Sequence, residues 1–370
     1  MNSASNWAHL GSPALAAFLA AFGGALALVL SRSWHGHLTV DSVVGVQKFH
    51  TQPTPRVGGL PIATGFLLAW YLSSEKLHTL LYPLIVAGAP AFAFGLAEDI
   101  TKRVSVRARL FATVGCGILG WAITGYAINR VNVPGFDWLL SFTIVSVLFT
   151  AFTVGGIANA INIIDGFNGL SGGTVIIILG GFAWTFLSVG DTEMAQVCIL
   201  LGAAVLGFLL VNWPMGKIFL GDGGAYFVGF CIAWIAVLML ARHPDLSAWL
   251  PLLLCAYPVL EVVFSMWRRW RRGLSAGEPD RLHLHSLVKK RMVRQWLPNE
   301  SNLARNSVTG MLMWGAALLP VAVALTVGNN TAGLAGGLVF CALVYTAVYA
   351  RISQFVWCFR AATVAPLAKA

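Results

Sequence analysis

Long apolar runs separated by short polar clusters make up almost the whole chain. A helix that crosses a bilayer needs about 20 predominantly apolar residues. Eleven runs of roughly that length can be marked, near 11–30, 58–73, 79–96, 108–128, 138–158, 174–189, 194–213, 224–241, 248–267, 308–327 and 332–350. The second and sixth are short, and Gly and Pro interrupt several. The pattern predicts an all-α integral membrane protein with about eleven transmembrane helices, folded as a single polytopic domain over 1–370. The first run has no basic flank before it, which argues against a cleaved signal peptide.

Composition agrees with that class. Hydrophobic residues make up 58% of the chain and charged residues only 10%, against about 25% in a soluble domain. A net charge of +10 raises the question of nucleic acid. The basic residues lie in short loops between apolar runs, however, a pattern of membrane topology and anionic lipid headgroups. RRWRR at 268–272 is the densest example. The six cysteines show no metal or redox spacing and read as structural thiols.

Cytoplasmic loops of membrane proteins carry an excess of Lys and Arg. With the N-terminus outside, one set of loops holds 21 of the 24 Lys and Arg, leaving Lys76, Arg130 and Arg242 on the other side. The C-terminus is therefore expected in the cytoplasm, with cytoplasmic loops near 31–57, 97–107, 159–173, 214–223 and 268–306. Every polar cluster with chemical character falls on that side: KFHTQPTPRVGG (48–59), EDITKR (98–103), NIIDGFNG (162–169), GKIFLGDGG (216–224) and DRLHLH (280–285). The external loops SEKLHT, GDTE and GNNTAG are short and bland. Five clusters on one face predict one shared site at the cytoplasmic surface.

The chemistry of the clusters narrows the function. Asp99, Asp165 and Asp222, with Glu98 beside Asp99, are hard oxygen donors suited to Mg²⁺, which keeps several waters and shares its coordination with phosphates. Lys48, Arg56, Lys102, Lys217, His283 and His285 are cations or hydrogen-bond donors for phosphate oxygens. Together these are the parts of phosphoryl-group chemistry. Gly166, Gly169, Gly172 and Gly173, and then Gly221, Gly223 and Gly224, would let backbone N–H groups approach a phosphate. Asn159, Asn162 and Asp165 recur every third residue, within an arc of about 120° on a helix, and can face one pocket. Taken singly, an Asp or Asn at a span end is an ordinary cap. Glu261, inside the ninth run, is either support for a ligand site or the partner of an Arg.

In order and on one face, these motifs resemble those of the polyprenyl-phosphate N-acetylhexosamine-1-phosphate transferases, glycosyltransferase family 4, which include WecA-like and MraY-type enzymes. NAINIIDGFNGL is similar to the family's N-x-x-N-x-x-D-G-x-D-G, and IFLGDGGA to its F-x-G-D-x-G-S. DRLHLH is like the R-x-H-x-H of the WecA-like branch rather than the triple-His run of MraY. The resemblance covers about residues 40 to 290. It implies transfer of a sugar-1-phosphate, of N-acetylhexosamine type, from a UDP-sugar to undecaprenyl phosphate. The products are UMP and undecaprenyl-pyrophosphoryl-sugar, the initiating step of a cell-envelope polysaccharide such as a lipopolysaccharide O-antigen. It further implies a multi-pass protein of the bacterial inner membrane that uses Mg²⁺, or Mn²⁺ in its place, and forms a homodimer.

Carried over residue by residue, Asp222 is the expected metal ligand, with Glu98 and Asp99 near the metal and the lipid phosphate. Asp165, His283 and His285 complete the catalytic set. Asn159, Asn162, Asn168, Lys48, Lys102 and Arg281 are expected on the substrates, and Phe219 where a ring can stack on uracil. Two positions depart from the family: Glu98 replaces an Asp, and Asn168 replaces the second Asp of D-G-x-D-G. GlcNAc, GalNAc, QuiNAc and FucNAc stay open as the sugar. A secondary transporter is the rival of another class, but its site would lie near the midplane and open to both sides. The clusters here lie at one surface.

Overall fold

The computed structural model describes residues 10–41, 54–273, 280 and 282–354, and they are overwhelmingly helical. In chain order the helices are α1 (Gly11–Leu30), α2 (Arg32–Thr39), α3 (Gly59–Leu72), α4 (Glu75–Thr101), α5 (Val106–Thr124), α6 (Phe136–Leu140), α7 (Thr143–Ile164) and α8 (Leu170–Ser188). There follow α9 (Thr192–Asn212), α10 (Gly221–Arg242), α11 (Trp249–Leu254), α12 (Ala256–Trp270), α13 (Leu284–Val288), a π-helical turn over Lys289–Val293, α14 (Arg294–Trp296), α15 (Asn302–Val327) and α16 (Thr331–Ser353). An antiparallel pair of two-residue strands, β1 (Val40–Asp41) and β2 (Thr54–Pro55), sits in the first long connection.

Nine of the described helices are long and apolar enough to cross a membrane. All eleven apolar runs are largely helical, but three differ from the expectation of a full span. The run at 138–158 is broken at Ser141–Phe142, so that its span is α7. The run at 58–73 yields only the 14 residues of α3. The run at 248–267 is broken at Cys255 into α11 and α12. Pro258 accounts for the break, because it has no N–H to donate back to the carbonyl of Leu254.

Helix α10 is the axis of the bundle, with 89% of its most apolar stretch buried. It packs on α4, α7 and α3. Inside a bilayer helices gain little from hiding apolar surface from one another, so small residues that let backbones approach become decisive. A Cβ on Gly59 of α3 would stand 2.3 Å from the backbone nitrogen of Gly224, and one on Gly95 of α4 would stand 2.6 Å from the carbonyl carbon of Asp222. Helices α3 and α4 thus close on the first turn of α10.

The loops at this end are bonded to one another. The amide of Phe219 donates to the Pro55 carbonyl at 2.8 Å, while those of Gly58 and Gly59 donate to the carbonyls of Phe219 and Leu220 at 2.9 Å. Asn212 accepts from the Gly169 amide at 2.6 Å and donates to the Ile218 carbonyl at 2.7 Å. Segments 54–59, 165–169 and 216–222 are therefore one unit.

Candidate functional site

Asp99 lies near the end of α4 and is 1% exposed. Its Oδ1 accepts the backbone N–H of Asp222 at 3.0 Å, and its Oδ2 that of Gly223 at 2.9 Å. Those are orphan donors of the first turn of α10, and a carboxylate there is further favoured by the helix dipole. Asp99 consequently fixes the position of Asp222. Each of its oxygens retains a second lone pair for another ligand.

Asp222 is buried and taken from three sides. Arg56 from the segment after β2 donates to Oδ1 at 3.0 Å, and Asn162 from α7 donates to the same oxygen at 3.0 Å. Arg109 of α5 donates to Oδ2. Tyr226, one turn along α10, donates to Oδ1 of Asn162 at 3.3 Å. Asp165 ends α7 and accepts from Ser171 at 2.5 Å. Dense packing around Asp165 pushes its pKa above the usual carboxylate range, against the opposing influence of the Ser171 bond, the Arg56 charge and the Gly221 backbone. Six elements thus contribute to one polar cluster around Asp99, Asp165 and Asp222, opening to solvent beside exposed Gly166.

Among the described residues no three His, Cys, Asp or Glu are gathered as a metal-holding group. The donors present still suit a hard divalent ion bound through one or two carboxylates and the substrate's phosphates, as Mg²⁺ commonly is.

The histidines approach from the other side. His285 is buried on α13, with its ring edge against Phe167 at 5.6 Å between centroids. Its Nε2 lies 3.3 Å from where a Cβ on Gly166 would stand. Burial lowers its pKa to about 4, so the ring is neutral at physiological pH. Lys289, four residues on, lies over the same Phe167 ring at 5.5 Å, and burial lowers its pKa to about 8. His283 is different, because both its nitrogens face carboxylates: Nδ1 lies 3.1 Å from Glu261 and Nε2 3.7 Å from Asp280.

Several expected ligands are employed elsewhere. Glu98 accepts the Val104 amide at 2.8 Å and thereby closes the turn after α4. Lys102, in left-handed backbone conformation, donates to the Asp99 carbonyl at 2.6 Å. Asn159 turns away from the cluster, bonding the Gly155 carbonyl at 2.7 Å and Thr113 at 3.3 Å. Asn168 is 2% exposed and donates to Ser307 of α15 at 3.1 Å. It wedges two loops together instead of facing the opening. Phe219 is held through its backbone and its ring is half-buried. Lys48 and Arg281 lie outside the described residues.

The glycines also act otherwise than expected. The N–H groups of Asp222 and Gly223 are held by Asp99, and Gly224 serves helix packing. Gly169 and Gly173 make room for the indoles of Trp213 and Trp314. Two of these glycines face functional groups: Gly221, at positive φ, lies where a Cβ would stand 2.6 Å from Oδ2 of Asp99, and Gly166 faces His285.

Sequence reasoning overlooked Arg109, Ser171 and Tyr226. Arg109 had a readable signal: it lies inside the first turn of α5, beyond the loop where a cation that merely sets topology would sit.

The description "Glycosyl transferase family 4" belongs to the family model that matches residues 81–240. An undecaprenyl-phosphate alpha-N-acetylglucosaminyl 1-phosphate transferase of Yersinia pestis is 28% identical over 251 residues, 66% of this chain and 68% of that protein. A protein of the same name from Escherichia coli K12 is 29% identical over 256 residues, 66% and 67% of the two chains. A probable undecaprenyl-phosphate N-acetylglucosaminyl 1-phosphate transferase of Bacillus subtilis is 28% identical over 240 residues, 65% and 66% of the two chains. The alignments span about two thirds of each relative. With the motifs of five loops joined at one end of the bundle, these matches make the chain similar to glycosyl transferase family 4 over residues 81–240 and to undecaprenyl-phosphate N-acetylglucosaminyl 1-phosphate transferases over about two thirds of its length.

Proposed function

We propose that this protein transfers a sugar-1-phosphate from a UDP-sugar to undecaprenyl phosphate, releasing UMP. The observation that carries the reading is the joint hold on Asp222: Asp99 fixes its backbone while Arg56, Arg109 and Asn162 grip its carboxylate. Acids and guanidinium groups brought together at the end of an apolar helix bundle suit a reaction between a lipid phosphate and a water-soluble diphosphate. The names of the relatives support the same substrates. UDP-N-acetylglucosamine is the donor to try first, on the strength of those names. The preponderance of Lys and Arg in one set of loops supports a cytoplasmic site in the bacterial inner membrane, an external N-terminus and about eleven membrane-crossing segments, α3 being the short one and α11–α12 the broken one.

An oxygen of the lipid phosphate attacks the β-phosphorus of the donor, and the bond from that phosphorus to the bridging oxygen breaks. UMP leaves with that oxygen, and a new pyrophosphate joins lipid to sugar. Arg56 and Arg109 neutralise phosphate oxygens and orient the donor. Asn162 and Asp165 border the opening where the nucleotide enters. Asp222, with Asp99 beside it, would hold Mg²⁺, which when bound would supply positive charge to offset the negative charge of the phosphates.

Purified protein incubated with Mg²⁺, undecaprenyl phosphate and a panel of UDP-sugars is expected to release UMP. EDTA should stop the release and added Mg²⁺ restore it. Asp222→Ala should lower the rate at least a thousandfold; a rate equal to wild type would remove the metal assignment. Silence with every UDP-sugar would overturn the reading as a whole.

A further inference from the structure

Glu261 is an acid in the middle of α12, 1% exposed, where an ionisable group is costly. Among the described residues no Arg or Lys pairs with it; its ion-pair partner is His283. Its Oε1 takes two donors, Nδ1 of His283 at 3.1 Å and the backbone N–H of Leu284 at 2.8 Å. Its Oε2 is buried without a hydrogen bond, as are the hydroxyls of Tyr257 and Tyr345, which lie within its electrostatic reach. An apolar side chain would be cheaper to bury here. What the carboxylate contributes is therefore what it holds.

It holds the start of a relay. The ring of His283 is set between Glu261 and Asp280, and Asp280 is itself fixed by Ser265 at 2.5 Å, by the Leu282 amide at 2.9 Å and by Arg268. The ring of His285 stacks on that of His283, with centroids 5.2 Å apart and planes inclined by 9°. Nε2 of His285 is thereby set against Gly166, where the polar cluster opens. A hydrogen bond at one ring nitrogen of a histidine fixes both its tautomer and its orientation.

We propose that Glu261 is a positioning residue: acting through His283 as an intermediate ring, it holds His285 at the mouth of the site, where His285 alone of the pair meets the donor. This assignment rests on the transferase reading for what His285 touches. The relay geometry itself does not depend on that reading.

The test is a cycle of variants measured by UMP release and by nitrogen-15 spectra of labelled histidines, on the full chain in detergent. Glu261→Gln keeps an acceptor but removes the charge, and is expected to lower kcat/KM for the UDP-sugar on the order of tenfold. His285→Ala should cost at least as much. Groups that act as one unit do not lose activity additively, so the double variant should fall no further than His285→Ala, within about twofold. Multiplied losses, or Glu261→Gln at the wild-type rate, would overturn the proposal. His283→Asn preserves a donor toward Glu261 but removes the stacked ring. It should show the same non-additivity with His285→Ala, and it decides the matter should Glu261→Gln fail to fold. The spectra report without turnover: Glu261→Gln or, in its stead, His283→Asn should move the His285 resonances, and unmoved resonances would overturn the relay. A wild-type protein that releases no UMP would instead sink the transferase reading, while the spectra still decide the relay.

Discussion

Asp99→Asn separates scaffolding from chemistry at the carboxylate next to Asp222. Both oxygens of Asp99 accept a backbone N–H from the first turn of α10. An asparagine retains one acceptor and presents an NH₂ to the other donor, so one charge-assisted bond becomes a donor–donor contact in a buried place. Losing such a bond costs about 1.5–3 kcal/mol, and removing the anion from a helix N-terminus about 1 kcal/mol more. The sum is about 3 kcal/mol. With an unfolding entropy of roughly 2 cal/mol/K per residue, a chain of 370 residues should melt about 4 °C lower. A shift of Asp222 by about 1 Å can cost on the order of a hundredfold in rate. Thermal unfolding in detergent, read by tryptophan fluorescence alongside UMP release, should show both losses together. An inactive Asp99→Asn that melts with the wild type would refute the scaffolding argument and make Asp99 a chemical participant.

Asn168→Ala removes the buried amide that joins its loop to Ser307; it should lower the melting temperature by about 1–2 °C while KM for the UDP-sugar stays within about twofold, and a tenfold rise in KM would restore Asn168 as a nucleotide ligand. Gly95→Leu drives a side chain into the carbonyl of Asp222, where even a Cβ would stand at 2.6 Å; folded yield in the membrane should drop severely, and a well-behaved variant would show that α4 and α10 are not locked together.

The helices were legible because apolar runs of membrane length have few alternative fates: every one of the eleven is largely helical, and α1, α9 and α10 match their marked ends within a few residues. The shortfall at α3 and the break at Cys255 came from residues that hydropathy counts as neutral or apolar. Gly59, the first residue of α3, packs against Gly224, and Pro258 denies α11 a continuation. Motif order identified Asp99, Asp165, Asn162 and Asp222, which are brought together. Direction within a helix was less legible. Asn159 shares an arc with Asn162 and Asp165, yet α7 also packs on α5, and Thr113 takes its amide. His283 and His285 looked equivalent as a spaced pair; Asp280 and Glu261, from two separate segments, make one a prop and leave the other at the opening.

Charge balance connects the site to its expected cation. On formal charges the cluster holds Asp99, Asp165 and Asp222 against Arg56 and Arg109, with the Lys102 ammonium tied to the Asp99 carbonyl. Three negative charges face three positive ones, so the protein alone is close to neutral there. A nucleoside diphosphate and a lipid phosphate would bring at least three further negative charges into surroundings where repulsion is poorly screened, since charges a few ångströms apart interact several times more strongly there than in water. Arginines already engaged by carboxylates cannot offset all of them. A divalent ion bound with the donor would restore the balance, and Asp222 and Asp99 are the residues that would hold it. On formal charges, neutrality of the protein alone is thus consistent with the proposed need for a divalent cation beside the phosphates.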